Sequence, residues 1–155
     1  MKRFAMVFAL VLALAAGFGC AKKTTTEPSY DTTESPELRA AIQTISDSRV
    51  YFAFNRYNIE SQYDEALRRD ADLLKQFPSI HVRIEGNCDD RGTQEYNLAL
   101  GERRARAAYD YLVAAGVNPG QLEMISYGKE NPAVMGTGEA VWAKNRRDDF
   151  RIIAQ

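Results

Sequence analysis

"NCDDRGTQEYNLALGERRARAAYDYL" runs from Asn87 to Leu112, and how it is read decides the fold. Its first residues are small, acidic or glycine, as in a loop, and Thr93 is a residue type that starts helices. From Thr93 the pattern is helical. At 100° per residue, Asn97, Leu100, Arg104, Ala108, Tyr111 and Ala115 share one face, all within about 40° of Arg104. Arg104 is the only charge in that stripe, because Glu102, Arg103, Arg106 and Asp110 point elsewhere. A guanidinium in the middle of a core-facing stripe needs an acceptor, since burying it alone costs several kcal/mol, in order of magnitude.

Alternation and helical periodicity surround this segment. "VYFAF" places Val50, Phe52 and Phe54 on one face and reads as a strand. "SQYDEALRRDADLLKQF" reads as a helix with Tyr63, Leu67, Leu74 and Phe77 apolar, stopped by Pro78. "IHVRIEG" alternates again, with Ile80, Val82 and Ile84 inward. "AAGVNPG" closes the long helix, and "QLEMISYG" and "DDFRIIA" read as two further strands around a short helix near Glu139–Lys144. The order β-α-β-α-β-(α)-β predicts an α+β domain over residues 50–155, its two long helices packed on one face of a sheet. Residues 37–49 are read as a short lead-in to it.

The N-terminal residues have a different character. Lys2 and Arg3 precede an apolar run, "FAMVFALVLALAAGFG", that ends at Cys20. This is the layout of a secretion signal over residues 1–19, too short for a comfortable membrane span. The small-residue approach to Cys20 resembles the lipobox of bacterial lipoproteins, with Gly19 in place and Gly17 where an aliphatic residue is usual. The resemblance implies lipidation of Cys20, and Ala21 after it resembles outer-membrane sorting. "AKKTTTEPSYDTTESP", residues 21–36, has almost no aliphatic content and is expected to be a disordered linker. Extended, it would reach about 50 Å.

Composition narrows the function. The net charge of −1 argues against strong attraction to nucleic acid or anionic lipid. The "RRAR" run at Arg103–Arg106 is mostly a solvated helix face, Arg104 apart, and is offset by Glu102 and Asp110. An enzyme reading finds little support. His81 and Cys88 lie seven residues apart along one predicted strand, about 23 Å at 3.3 Å per residue. Asp89 and Asp90 have no third group to complete a catalytic set and no His nearby for a metal site.

Two readings of Arg104 remain open. It forms a structural salt bridge with Asp89 or Asp90, or Arg104 and an acid are kept apart as a binding site. In the second case the acid takes an ammonium and Arg104 clamps a carboxylate, a match for a zwitterion, with the Asn97 amide adding a hydrogen bond.

"EGNCDDRGTQEYNLALGERRARA" resembles the peptidoglycan-associating motif of OmpA-like C-terminal domains. "VYFAFNRYNI", "SYGKENPAV" and "AKNRR" narrow the likeness to the peptidoglycan-associated lipoproteins of that family, over about residues 50–153. The resemblance implies an OmpA-like α+β sandwich on a mixed sheet, and a binding protein with no catalytic residue, metal or cofactor. It implies outer-membrane attachment with the domain facing the periplasm. The implied partners are peptidoglycan, held non-covalently through the diaminopimelate of its stem peptide, and the periplasmic protein TolB with other Tol or outer-membrane proteins. By motif position, Asp89 resembles the ammonium-binding acid and Arg104 the carboxylate-binding arginine. Phe54, Asn55, Tyr57, Arg91, Asn97 and Leu100 occupy supporting positions, and Arg146 resembles a second arginine near the site. The chain departs from the family at Asn87 and Cys88, where His or Tyr followed by Ala or Thr is usual, and at Ala53 and Asn55, where acids are common.

Overall fold

The computed structural model describes residues 35–155; the predicted signal segment, Cys20 and nearly all of the linker lie outside the described residues. The described elements are α1 (Pro36–Asp47), β1 (Arg49–Tyr51), α2 (Asp64–Gln76), β2 (His81–Asn87), α3 (Gln94–Ala114), β3 (Leu122–Gly128), α4 (Glu139–Asn145) and β4 (Arg147–Ala154). The strands form one sheet in the order β1-β4-β2-β3. β4 is antiparallel to both β1 and β2, and β2 is parallel to β3, so the sheet is mixed. The α+β architecture expected from the sequence is the one observed.

Local chemistry accounts for the elements. Ile80, Val82 and Ile84 are fully buried, as their alternation predicts. They meet Leu67, Ala71 and Leu74 of α2 and Ala105, Ala108 and Leu112 of α3 in a single core. Thr93 caps α3, its hydroxyl accepting from the Tyr96 amide at 3.2 Å. Gln121 closes the far end of α2: its Nε2 donates to the carbonyls of Leu74, Phe77 and Ile80 at 3.0, 3.3 and 3.0 Å. The Leu74 carbonyl, in the last turn before Pro78, is one of the helix-end acceptors that this satisfies.

Two features differ from the sequence reading. The stretch read as a lead-in is helix α1, with Ser35 as N-cap, Pro36 in its first turn, and Ala41 and Ile45 buried in the core. The strand read through "VYFAF" stops at Tyr51. Asn55 adopts a left-handed conformation (φ 57°), and the Arg56 amide donates back to the Ala53 carbonyl at 3.1 Å. This turn lifts Phe54 off the core face that Val50 and Phe52 occupy, leaving it 59% exposed. Asn tolerates φ > 0 better than most side chains.

Helix α3 lies on β2 through two glycines. A Cβ at Gly86 would come within 2.0 Å of the Gly101 carbonyl oxygen, and one at Gly101 within 2.8 Å of the Gly86 oxygen. Both clashes are with backbone, so no rotamer change relieves them. Gly86→Ala is expected to destabilise the fold by about 3 kcal/mol or more, at or above the upper end for overpacked cores, as read from the midpoint of urea unfolding.

Candidate functional site

Four segments converge at the carboxyl end of β2: the turn after β1, the loop between β2 and α3, α3 itself, and the residue that leads into β4. They enclose a cavity of about 270 Å³. Phe54 and Asn55 line it from the turn, Asp89 and Arg91 from the loop, Asn97, Leu100 and Arg104 from α3, and Arg146 from the residue before β4. Of the residues proposed from the sequence to contact a ligand, all but Tyr57 line this cavity. The Ala53–Arg56 turn aims the Arg56 carbonyl inward at Arg104, and Tyr57 instead lies out by Arg103, 6.0 Å from its guanidinium carbon. Asp90 is exposed.

Arg104 is fully buried. Its donors go to neutral acceptors: Nε to the Arg56 carbonyl at 2.9 Å, Nη1 to the Asn87 carbonyl at 2.8 Å and to Cys88 Sγ at 3.4 Å, and Nη2 to the Ala53 carbonyl at 3.4 Å. The Phe52 ring lies 5.0 Å away. A salt bridge to Asp89 or Asp90 is therefore not what holds this guanidinium. Burial pulls the Arg104 pKa down, and the nearby Cys88, Asp148 and Asp89 oppose that pull.

Asp89 is also buried and has its own partners. Arg91 donates to it from Nη2 at 2.6 Å, from Nε at 3.2 Å and from its backbone amide at 3.2 Å. Arg146 donates from Nη1 at 3.2 Å, with its Nε on the Phe52 carbonyl at 2.9 Å and its Nη2 on Glu139 at 2.5 Å. Burial pushes the Asp89 carboxyl up, but the hydrogen bonds from Arg91 and Arg146 outweigh it and hold the pKa below the usual value. The acid thus stays charged at neutral pH. Arg91 is clamped between the Phe54 and Trp142 rings, 4.0 Å from each centroid.

Supporting contacts order the loop. The Asn97 side-chain amide donates to the Arg91 and Thr93 carbonyls at 2.8 and 3.0 Å, and Gly92 takes φ +90° just before the cap. Asn97 thus spends its donors on the loop and not on the cavity. The Asn55 side-chain oxygen accepts from the Tyr96 hydroxyl. Cys88, Gly92 and Tyr96 also line the cavity, and Glu139 and Trp142 brace its arginines. The sequence held signals for some of these. Tyr96 precedes Leu100 by one helical turn, and Trp142 is the only tryptophan in the chain. His81 opens β2 and Cys88 directly follows its last residue, so the two stand at opposite ends of the strand.

The chain is similar to several known proteins. The OmpA family matches residues 51–146. The peptidoglycan-associated lipoprotein of Pasteurella multocida (strain Pm70) is 53% identical over 98 residues, 63% of this chain and 65% of that protein. That of Pseudomonas putida is 37% identical over 166 residues, 97% of this chain and 98% of that protein. The chain spans somewhat less than two thirds of the Pasteurella protein and, at 64%, of the Haemophilus influenzae one. The crystal structure of the peptidoglycan-associated lipoprotein from Burkholderia pseudomallei is 43% identical, covers 75% of this chain and 98% of that chain, and gives a TM-score of 0.71. The C-terminal domain of Helicobacter pylori MotB shares the fold at 24% identity and a TM-score of 0.62, covering 70% of this chain and 85% of that one.

The Cys88 thiol is a cavity wall and not a nucleophile. It donates to the Asn97 carbonyl at 3.3 Å, and burial, opposed by Arg104, pushes its pKa up to about 11. Thiolate is therefore scarce until the pH approaches that value. In a Cys20→Ser chain, Ellman's reagent at pH about 8, near the ordinary thiol pKa, is expected to leave Cys88 unmodified until denaturant is added. Rapid labelling of the folded protein is the contrary result.

Proposed function

This chain belongs to the OmpA family, and from that premise we propose that its cavity binds peptidoglycan non-covalently through the diaminopimelate residue of the stem peptide. The observation that carries the reading is one small cavity walled by a desolvated guanidinium whose acceptors are all neutral and by a desolvated carboxylate. Diaminopimelate ends in an ammonium and a carboxylate on one carbon. Its carboxylate supplies the countercharge that the Arg104 contacts lack, and its ammonium suits Asp89. About 270 Å³ accommodates the end of one amino acid, below the usual size of a drug-like site.

Each supporting residue has a part in this reading. Arg91 now sits on Asp89 as a cation in the ammonium's place. Its side chain is 30% exposed, so water can solvate it if it withdraws. Arg146 keeps Asp89 charged and oriented from behind, and Leu100 and Phe54 give the aliphatic stem of the ligand apolar contact. Asn55 and Asn97 fix the rim and the loop, and Tyr57 contributes from outside the cavity.

The wider setting belongs to the same proposal. The chain is a lipoprotein held in the outer membrane by acyl chains on Cys20, its domain facing the periplasm and tethering membrane to wall. TolB is its protein partner in a Tol–Pal system that serves envelope integrity and cell division. The names of the relatives and the apolar run ending at Cys20 support this reading.

A lysine-containing stem peptide keeps the ammonium and lacks the carboxylate. Losing one partner of a desolvated charge pair costs about 2 kcal/mol at the lower end, or roughly 30-fold in affinity. Calorimetric titration with the two soluble peptides is expected to show that preference. Arg104→Ala should abolish it, and Asp89→Ala should weaken both peptides alike. Equal affinities for the wild type would reduce Arg104 to a structural role.

The anchor is tested separately. Cys20→Ser should release the folded chain from the outer-membrane fraction, because a domain without acyl chains has no comparable membrane affinity. Continued co-fractionation of a cleanly processed mutant with outer membrane depleted of wall would contradict the lipid assignment.

A further inference from the structure

Asp148 lies on β4, fully buried, and neither of its carboxylate oxygens accepts a hydrogen bond. Its backbone is flanked by Val50 of β1 and Gly86 of β2. It shares its face of β4 with Phe150, two residues on, which is in the core beneath the helices. Gly86 directly precedes Asn87, whose carbonyl accepts from Arg104. Asp148 does not line the cavity. It lies outside that lining but near enough to Arg104 for the two charges to interact.

The charges around it are few. From α3 it faces Arg104. From the loop after β2 it faces the neutral Cys88 thiol, with Asp89 beyond, already held by two arginines. Its neighbours on β4, Arg147 and Asp149, pair with each other at 2.8 Å, and Arg49 of the preceding strand joins Asp149 at 2.7 Å. Neither Val50 nor Gly86 titrates. Since the acceptors touching Arg104 are neutral, a change in the charge state of Asp148 changes the net charge near the guanidinium.

We propose that Asp148 is a positioning residue that tunes Arg104 for an anionic ligand, taking up a proton from solvent when a ligand carboxylate reaches the guanidinium. The inference rests on the diaminopimelate reading of the cavity. Before binding, the Asp148 carboxylate balances Arg104 through space. After binding, the ligand carboxylate balances it, and Asp148 is the neutral acid. One O–H bond forms on Asp148, and no other bond changes. Two carboxylates flanking one guanidinium in a dry site repel each other, and the one without hydrogen bonds is the easier to neutralise. Burial raises the Asp148 pKa well above the carboxylate range; Arg104 opposes that rise, Asp149 adds to it and Arg147 opposes it. The ligand's negative charge raises the pKa further. Affinity is therefore greatest at pH values where Asp148 is already protonated. It falls by about tenfold per pH unit between the free and the bound pKa.

The test is calorimetry on the full chain in detergent with the soluble diaminopimelate stem tripeptide. Titrations run from roughly pH 5 to pH 7, below the α-amino pKa of about 7.7–8.0, so that the peptide's own ammonium stays largely charged. Each is repeated in two buffers of different ionisation enthalpy. The wild type is expected to take up protons and to lose affinity as pH rises. Asp148→Asn should bind with a flat profile and no such uptake, and the lysine tripeptide should show none with either protein. Equal heats in the two buffers with a flat wild-type profile overturn the inference, as does an Asp148→Asn profile that tracks the wild type. Should the variant fail to fold, the two-buffer comparison on the wild type decides alone. Failure of both tripeptides to bind the wild type removes the reading of the cavity and this inference with it. Binding without proton uptake removes this inference only.

Discussion

Helix α3 rests on strand β2 with no side chain between Gly101 and Gly86, and the geometry of the cavity depends on that approach. With the helix this low, Arg104 comes within 2.8 Å of the Asn87 carbonyl, one residue past Gly86. Three residues before Gly101, Leu98 backs onto the positive-φ Gly128, where a Cβ would meet its amide nitrogen at 3.0 Å. The Gly128 carbonyl in turn receives the Cys88 amide at 2.7 Å, which starts the loop that carries Asp89. The glycines thus fix the helix height, and the helix height fixes where a charge can be buried with its acceptors already in place.

The cavity joins two opposite solutions to burying charge. Asp89 is paired, with two guanidiniums satisfying both its oxygens. Arg104 is solvated by carbonyl dipoles and a thiol, with opposite charge nearby but not in contact. The first arrangement resists protonation, and the second keeps a positive potential in reach of the cavity. A rigid frame of dipoles costs little reorganisation when an anion arrives, as in any preorganised electrostatic site.

Much of this was legible in the sequence, for identifiable reasons. The 3.6-residue stripe on α3 and the alternation at Ile80, Val82 and Ile84 are direct images of burial, and they located the sheet, the helix and the out-of-place arginine. Helix α1 was obscured because it follows a Thr- and Ser-rich stretch, although Ser35 and Pro36 are ordinary start signals. The acceptors of Arg104 were not legible at all. They are mostly backbone carbonyls, which every residue has, so no side-chain pattern marks them. The search for an acid partner followed from reading side chains alone. Trp142 and Glu139 reach the site from a helix some fifty residues downstream in the chain, and only the tertiary fold of α4 brings them there.

The sheet order has a mechanical consequence. β4, the last strand, lies between β1 and β2, while β1 is an edge strand of three residues. A pull entering at Ser35 loads α1, which packs on α2 and on the interior strand β4, and through the chain also β1. Directly beyond β1 come Phe52, Ala53 and Arg56, whose carbonyls receive Arg146 and Arg104. The edge strand and the turn that shapes the cavity are consecutive in the chain, so a displacement of β1 also moves the carbonyls that receive Arg146 and Arg104.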